Sequence, residues 1–357
     1  VSDSSDARLR VDDFDYDLPV EAIAQAPAEP RDASRLLVLD RAASRPGEPA
    51  LSKARFSELG QWLEGGDLLV VNDSRVLRAR LRGTRAGGGA AEVLLLRPLP
   101  DGTWEALVRP GRRLRPGSTV RLTTGDELVV GDRVGEGTRS VTLPRDAEGV
   151  MDAAGEMPLP PYITARDAPD DRYQTVYAEP PGSAAAPTAG LHFTPHLLAE
   201  LEAAGLRWAT VTLHVGLDTF QPLDRQFVDE HRIHREWYVV PPETRQAVVA
   251  TKAAGHRVVA VGTTTTRVLE TLARTGEPSG WTDLYVTPPH RYRSIDALIT
   301  NFHLPRSSLL LLVTAFVQDG MEGSHPLQAR DTLLAAYRSA LESGFRFYSF
   351  GDAMLIR

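Results

Sequence analysis

From Ala79 to about Pro144 the chain carries roughly six short runs of β-formers, closed by Gly, Pro or Asp, with no helical stripe between them. Runs of that length and spacing suit a small antiparallel barrel or sandwich. On both sides the texture differs: apolar runs of strand length alternate with amphipathic helical ones, the pattern of an α/β unit. The segment GEMPLPPYI, 155–163, has three prolines that forbid both helix and inner strand, so it reads as the return from one domain to the other. The chain is therefore predicted to be α/β (α+β). A discontinuous α/β domain, residues 1–72 and 156–357, surrounds an inserted domain of residues 73–155.

Within the α/β part, Ala54–Leu63 is predicted to be an amphipathic helix closed by Gly65 and Gly66. GDLLVVND then gives a buried strand over Asp67–Val71, ending in the polar cluster Asn72, Asp73, Ser74, Arg75. The stretch 187–216, PTAGLHFTPHLLAELEAAGLRWATVTLHVG, joins a loop ending in His192, a short helix and a strand delivering His214. Thr194 suits the N-cap, Pro195 the first helical position and Gly205 the residue past the end. Ser307–Phe316 is buried, as helix or strand, and Thr332–Ser343 makes a last amphipathic helix.

Composition narrows the chemistry. None of the 357 residues is cysteine, which removes disulfides, thiolate metal sites and a cysteine nucleophile. The longest apolar run, Leu309–Val313, is far too short to span a bilayer. The polar, acidic first residues have no hydrophobic segment of a signal peptide, so a cytoplasmic location without membrane contact is expected. Net charge is −7, against indiscriminate coating of nucleic acid. Between Arg75 and Arg121, however, eleven arginines face three acids, a local excess of +8 that either forms an ordinary solvated surface or serves a polyanion.

The candidate chemistry sits at joints between apolar runs and loops, where functional residues concentrate. His192, His214 and His303 lie at such joints, and so do Asn72, Asp73 and Arg75; Asp296, Asn301 and Asp352 are polar islands in apolar segments. Any one of these histidines taken alone is more often a satisfied buried group. GTTTTR, Gly262–Arg267, leaves a buried strand and opens a helix, so Thr264, Thr265 and Arg267 suit a carboxylate or phosphate. Spacing alone favours a threonine-capped β–α turn there, since neither dinucleotide nor phosphate-loop signature is present. His231 and His234 are three apart, which on a helix puts both rings on one face. Without a full ligand set, a hydrogen-bonded pair beside Glu230 and Glu236 is preferred to a metal site.

The longer strings carry a resemblance. DRYQTVYAEPPGSAAAPTAGLHFT, TLHVGLDTFQP, EHRIHREWY, VVAVGTTTTR, IDALITNFHLPRSSLLLLVTAF and FRFYSFGDAM, in this order, closely resemble the S-adenosylmethionine:tRNA ribosyltransferase-isomerase family of queuosine biosynthesis, over nearly the whole chain. The resemblance implies an α/β domain interrupted by a smaller antiparallel β-barrel domain. It implies S-adenosylmethionine as co-substrate and no metal. The ribosyl portion is transferred to, and isomerised on, the aminomethyl group of a 7-deazaguanine at the tRNA wobble position; adenine and methionine leave and epoxyqueuosine forms. Such a reaction needs proton transfers that histidine suits near neutral pH, so His192, His214 and His303 are expected to supply the acid–base groups, with His231 and His234 nearby. Arg267, Thr264 and Thr265 would hold the methionine carboxylate, and Asp73 or Asp296 the deazaguanine edge or the methionine ammonium. Asn72, Arg75, Asn301 and Asp218 complete the expected substrate-binding set. The arginine-rich 75–121 region becomes a platform for the anticodon stem–loop, and a monomer is expected.

The family pattern HVGxGTF has a second glycine where this chain has Asp218, which adds a carboxylate beside the expected site; PPHRYR replaces its PGYxFK. Two alternatives follow: a paralogue that uses a non-tRNA deazapurine acceptor, and a non-catalytic tRNA-binding module. A methyltransferase is disfavoured by the missing glycine-rich loop after a first strand.

Overall fold

The computed structural model describes residues 8–135, 137–165, 168–216 and 223–357. The chain forms two compact units. One comprises Val1–Asp73, Pro161–Ala178 and Pro187–Arg357; the other comprises Ser74–Pro160 and Glu179–Ala186.

The larger unit is built on a nine-stranded mixed sheet. Its strands are β1 (Arg35–Arg45), β2 (Glu48–Arg55), β3 (Leu68–Asn72), β4 (Arg207–Leu213), β5 (Glu236–Val239), β6 (Val258–Val261), β7 (Ser279–Thr282), β8 (Ala297–Asn301) and β9 (Ala353–Ile356). Their order is β7-β5-β4-β3-β6-β8-β9-β1-β2. The four central strands β4, β3, β6 and β8 are parallel. β3, β6 and β8 are buried along their whole length, as parallel strands covered on both faces must be. On one face Leu69, Val71, Val259, Val261, Ala297 and Ile299 pack against Phe56, Leu59, Phe193, Leu197 and Leu201. The other face meets helices Pro242–Ala253 and Thr263–Thr275.

Local chemistry accounts for most elements. Helix α1 (Pro195–Ala203) starts with Thr194 Oγ1 accepting from Leu197 N at 3.0 Å and Pro195 at the first position. Helices α2 (Pro242–Ala253), α3 (Thr263–Thr275), α4 (Ser308–Gly320) and α5 (Pro326–Glu342) follow. The open choice at Ser307–Phe316 resolves as helix, capped by Ser307. The helix expected over Ala54–Leu63 is instead a 3₁₀ helix, Phe56–Trp62, because β2 runs on to Arg55 and leaves only seven residues, Gly60 among them. A three-residue turn stacks Phe56 and Leu59 on the same face, toward the core.

The smaller unit is a closed six-stranded antiparallel barrel. Strands Arg80–Arg85, Ala90–Pro98, Trp104–Arg109, Thr138–Thr142, Glu127–Arg133 and Thr119–Leu122 pair in that order, and the last pairs back onto the first. Alternate residues, among them Leu81, Val93, Val120 and Val130, fill the interior. Gly155–Glu156 adds a short antiparallel pairing to the first barrel strand.

Candidate active site

The C-terminal ends of the parallel strands gather the polar residues. β3 ends in Asn72 and Asp73, β4 leads into His214, β6 into Gly262–Thr264, and β8 ends in Asn301. β3 has the earlier-crossing β4 on one side and β6 on the other, so the strand order reverses there, as it does at the ligand crevice of open α/β sheets.

Asn72 ties this edge together. Its Oδ1 accepts from Leu213 N at 3.0 Å, and its Nδ2 donates to Leu213 O at 3.0 Å and to Thr264 Oγ1 at 3.4 Å. Asp73 is buried and its Oδ1 accepts from Thr212 Oγ1 at 2.7 Å. His214 continues the sheet ladder, its N–H donating to Trp237 O at 3.0 Å. Its Nδ1 is buried and makes no hydrogen bond among the described residues. Burial lowers the His214 pKa, and the Asp73 carboxylate works against that fall. The imidazole is thus a neutral base next to a carboxylate able to stabilise its protonated form.

His192 and His303 are placed differently. His192 Nδ1 lies 2.8 Å from Ser34 Oγ, its Nε2 lies 3.2 Å from Asn301 Nδ2, and its ring packs on Phe56. Asn301 Oδ1 accepts from Thr188 Oγ1 at 3.0 Å, which leaves Asn301 Nδ2 as the donor to His192 and puts the imidazole proton on Nδ1. His303 Nε2 bonds Thr300 Oγ1 at 2.8 Å, and its peptide N–H donates to Tyr337 Oη. Burial, with Arg346 and Arg31 adding repulsion at His192, holds both pKa values down to about 3. Neutral and committed to internal partners, both rings hold β8 and the 3₁₀ helix Thr188–His192 in place.

Two glycines near these residues sit at close backbone approaches. Gly262 has φ +92°, which starts α3 close to Ala189 and Thr264. A Cβ on Gly190 would come within 2.1 Å of Tyr177 Oη. Tyr177 packs against Phe193 and Trp208, and its hydroxyl has no partner among the described residues. Burial and the nearby Asp73 carboxylate raise its pKa.

On α3, Arg267 pairs with Glu236, both buried, while its Nε donates to Leu284 O at 3.1 Å and its Nη2 has no partner among the described residues. The other Glu236 oxygen accepts from Gly216 N at 2.8 Å. Thr264 presents its hydroxyl to Asn72. Thr265 turns away: its hydroxyl donates to Val261 O at 2.8 Å inside the helix.

The remaining candidates are held differently. Asp296 precedes β8 and so sits at the opposite end of that strand from Asn301, about 16 Å along it. Its carboxylate accepts from Val258 N at 2.8 Å and pairs with Lys252. Asp352 accepts from Arg35 N and Arg346 N, a buried turn role. His231 and His234 share no helical face, because a single 3₁₀ turn, Val228–Glu230, gives way to extended chain entering β5. His231 packs on Tyr285, and burial lowers its pKa; His234 is exposed. Arg75 belongs to the smaller unit. Asp218 lies outside the described residues. Among the described residues no three His, Asp or Glu side chains are grouped to hold a metal ion.

Sequence reasoning missed Tyr177 as a site residue, and it took Glu236 only as a neighbour of the histidine pair. Tyr177 stands in DRYQTVYAEPPG without periodic context, and nothing local joins it to Gly190.

In the barrel unit, Arg109 at the end of strand Trp104–Arg109 and Arg112, Arg113 and Arg115 in the loop that follows, anchored by buried Leu114, are exposed. None of the four forms an ion pair among the described residues. Arg82, Arg97 and Arg121, by contrast, pair with Glu156, Glu105 and Glu127.

A family model described as "Queuosine biosynthesis protein" matches residues 11–356. A protein of Moorella thermoacetica named S-adenosylmethionine:tRNA ribosyltransferase-isomerase is 49% identical, with 98% of this chain and 100% of that protein covered. A Thermotoga maritima protein of the same name is 46% identical at the same coverage. The crystal structure of an S-adenosylmethionine tRNA ribosyltransferase from Thermotoga maritima aligns with TM-score 0.55 and 39% identity, over 97% of this chain and 100% of that one.

Proposed function

This chain belongs to the queuosine biosynthesis protein family, and we propose that it is a transferase acting on tRNA with S-adenosylmethionine as co-substrate. The reaction moves and isomerises the ribosyl portion of S-adenosylmethionine onto 7-aminomethyl-7-deazaguanine at the wobble position. Adenine and methionine are released and epoxyqueuosine-tRNA is formed.

The chemistry requires a base at the ribose carbon bonded to sulfur, whose protons are acidified by the sulfonium charge. Adenine then leaves with the glycosidic electron pair and takes a proton on a ring nitrogen. The neutral amine, and then the deprotonated carbon, bond to the carbon that adenine left, the amine releasing a proton and the bond from that carbon to the ring oxygen breaking. The freed oxygen closes the epoxide on the deprotonated carbon as methionine departs with the C–S pair. Because the substrate brings its own positive charge, the reaction is written without a metal. His214 is the base, since it is the strand-end histidine whose Nδ1 has no partner among the described residues; Asp73 stabilises the imidazolium. His192 and His303 are positioning residues. Thr264 and the spare Nη2 of Arg267, one helical turn apart on α3, take the methionine carboxylate. Tyr177 and Asn72 border the same pocket. The Arg109–Arg115 loop of the barrel unit contacts the phosphates of the anticodon stem–loop, and the enzyme acts as a monomer in the cytoplasm.

The observation that carries the assignment of roles is His214 Nδ1, without a hydrogen-bond partner among the described residues, at the strand end beside Asp73. The direct test mixes protein, S-adenosylmethionine and tRNA bearing the aminomethyl base and follows products. Adenine with free methionine is expected. S-adenosylhomocysteine, or turnover only with a free nucleoside, would overturn the reading.

A further inference from the structure

Trp237 and Trp281 form a row of indoles that runs from His214 to the sheet edge. Leu213 of β4 pairs with Tyr238 of β5 and the next residue, His214, donates its N–H to Trp237 O, so His214 lies opposite Trp237. Trp237 in turn lies opposite Trp281 on β7, with ring centroids 5.6 Å apart. Opposed residues in an antiparallel pair point to the same face. That face is also the one of Asp73, whose carboxylate takes the hydroxyl of Thr212, two residues before His214 on β4. Asp73, His214, Trp237 and Trp281 therefore make one line across β3, β4, β5 and β7, on one side of the sheet. Both indoles are exposed, 37% and 42%. Trp208, 38% exposed, stands on the same face of β4 and packs against Tyr177.

We propose that this row is a stacking platform for the unpaired anticodon-loop nucleotides next to the target base, leading from the catalytic pocket outward. The proposal rests on the reading above that the substrate base is held in tRNA. A base presented to His214 has left its stack, and its neighbours lose their stacking partners; flat aromatic side chains on a sheet face replace them. Two strand spacings, about 10 Å, give room for about two nucleotides. Arg232 and Arg235, exposed in the run that enters β5 and without ion pairs among the described residues, supply the charge that a phosphate backbone requires. A protein partner would gain nothing from the line-up with His214.

The test compares wild type with W237A, W281A and the conservative W237F and W281F variants. Each alanine is expected to raise KM for tRNA roughly tenfold, with KM for S-adenosylmethionine unmoved, and each phenylalanine to recover most of the loss. Unfolding midpoints check that all four variants are folded. In parallel, single-stranded RNA of the anticodon-loop sequence should quench tryptophan emission of the wild type and bind W237A and W281A more weakly. Unchanged KM for tRNA in both alanine variants overturns the platform while leaving the proposed reaction standing. So does loss of self-association in W281A with KM unmoved, which would assign the face to a second copy. If the wild type releases no adenine the reaction fails instead, and RNA quenching still decides the platform.

Discussion

Arg267 and Glu236 bond side chain to side chain with 4% and 5% of their side-chain surface exposed, across α3 and β5. Glu236 also holds the peptide N–H of Gly216, so the pair fixes the chain where β4 has just delivered His214. Removing one member leaves the other charge buried, which costs about 3–5 kcal/mol, whereas replacing both by apolar groups costs far less. Glu236→Gln should therefore lower stability by about 3 kcal/mol in a urea titration. Glu236→Leu with Arg267→Met should lie well above the sum of the single changes. Additive losses would show that the pair does not act as a unit.

His192 and His303 make stability depend on pH in one direction. Each has a folded pKa of about 3 against an ordinary value near 6.5, so the unfolded chain binds protons that the folded chain refuses. Their contribution is complete above about pH 6.5 and is lost as pH falls from there toward 3, at about 1.4 kcal/mol per pH unit for each ring. Unfolding midpoints measured between pH 7.5 and 5 should be flat at first and then fall. His192→Asn should lose part of that slope; an identical slope in the variant would place the titration elsewhere.

Gly190 and Tyr177 give a test of packing at the 3₁₀ helix Thr188–His192. A methyl at 190 meets the Tyr177 hydroxyl at 2.1 Å, so the ring must move off Phe193 and Trp208. Gly190→Ala should cost about 1–3 kcal/mol and reduce adenine release. Because the Tyr177 hydroxyl has no partner among the described residues, Tyr177→Phe should be nearly silent by itself and should restore much of the loss in Gly190→Ala. Absence of rescue would mean that the strain lies in the backbone of the 3₁₀ helix.

What local pattern dictates was legible in the sequence. Thr194, Pro195 and Gly205 bound α1 because capping and left-handed backbone are decided within a few residues. The six barrel strands follow from turn residues at short intervals. The sorting of the histidines was not legible. His192 is satisfied by Ser34 and Asn301, 158 and 109 positions away, and no periodicity carries that information. The register that sets Trp237 between His214 and Trp281 is equally a property of pairing between distant strands. Asp296 looked equivalent to Asn301 because both flank one apolar run, yet the two ends of a strand face opposite edges of the sheet.

His214 divides the proposed mechanism from a purely structural reading. His214→Ala should slow adenine release about 100-fold or more, the usual contribution of a positioned base. His192→Ala should act mainly through stability, with activity partly recovered at low temperature. The lowered His214 pKa places the loss of the neutral base below 6.5, so the acidic limb of the pH–rate profile should lie there. Asp73→Asn removes the carboxylate that opposes that fall and should move the limb to still lower pH. Wild-type turnover in His214→Ala would remove the histidine from the reaction.

The strand end and loop over Arg109–Arg115 concentrate four exposed guanidinium groups in seven residues of a chain whose net charge is −7. Overall repulsion of a polyanion must then be overcome locally, and these arginines are not neutralised by carboxylates of the described residues, unlike Arg82, Arg97 and Arg121. Each phosphate contact releases counterions and contributes about 0.9 to the slope of log affinity against log salt. Reversing Arg112, Arg113 and Arg115 to Glu should weaken tRNA binding at least tenfold at low salt and flatten that slope by about two or three. S-adenosylmethionine binding should be untouched, since the loop belongs to the barrel unit. Equal slopes for wild type and triple variant would place the RNA backbone on another surface.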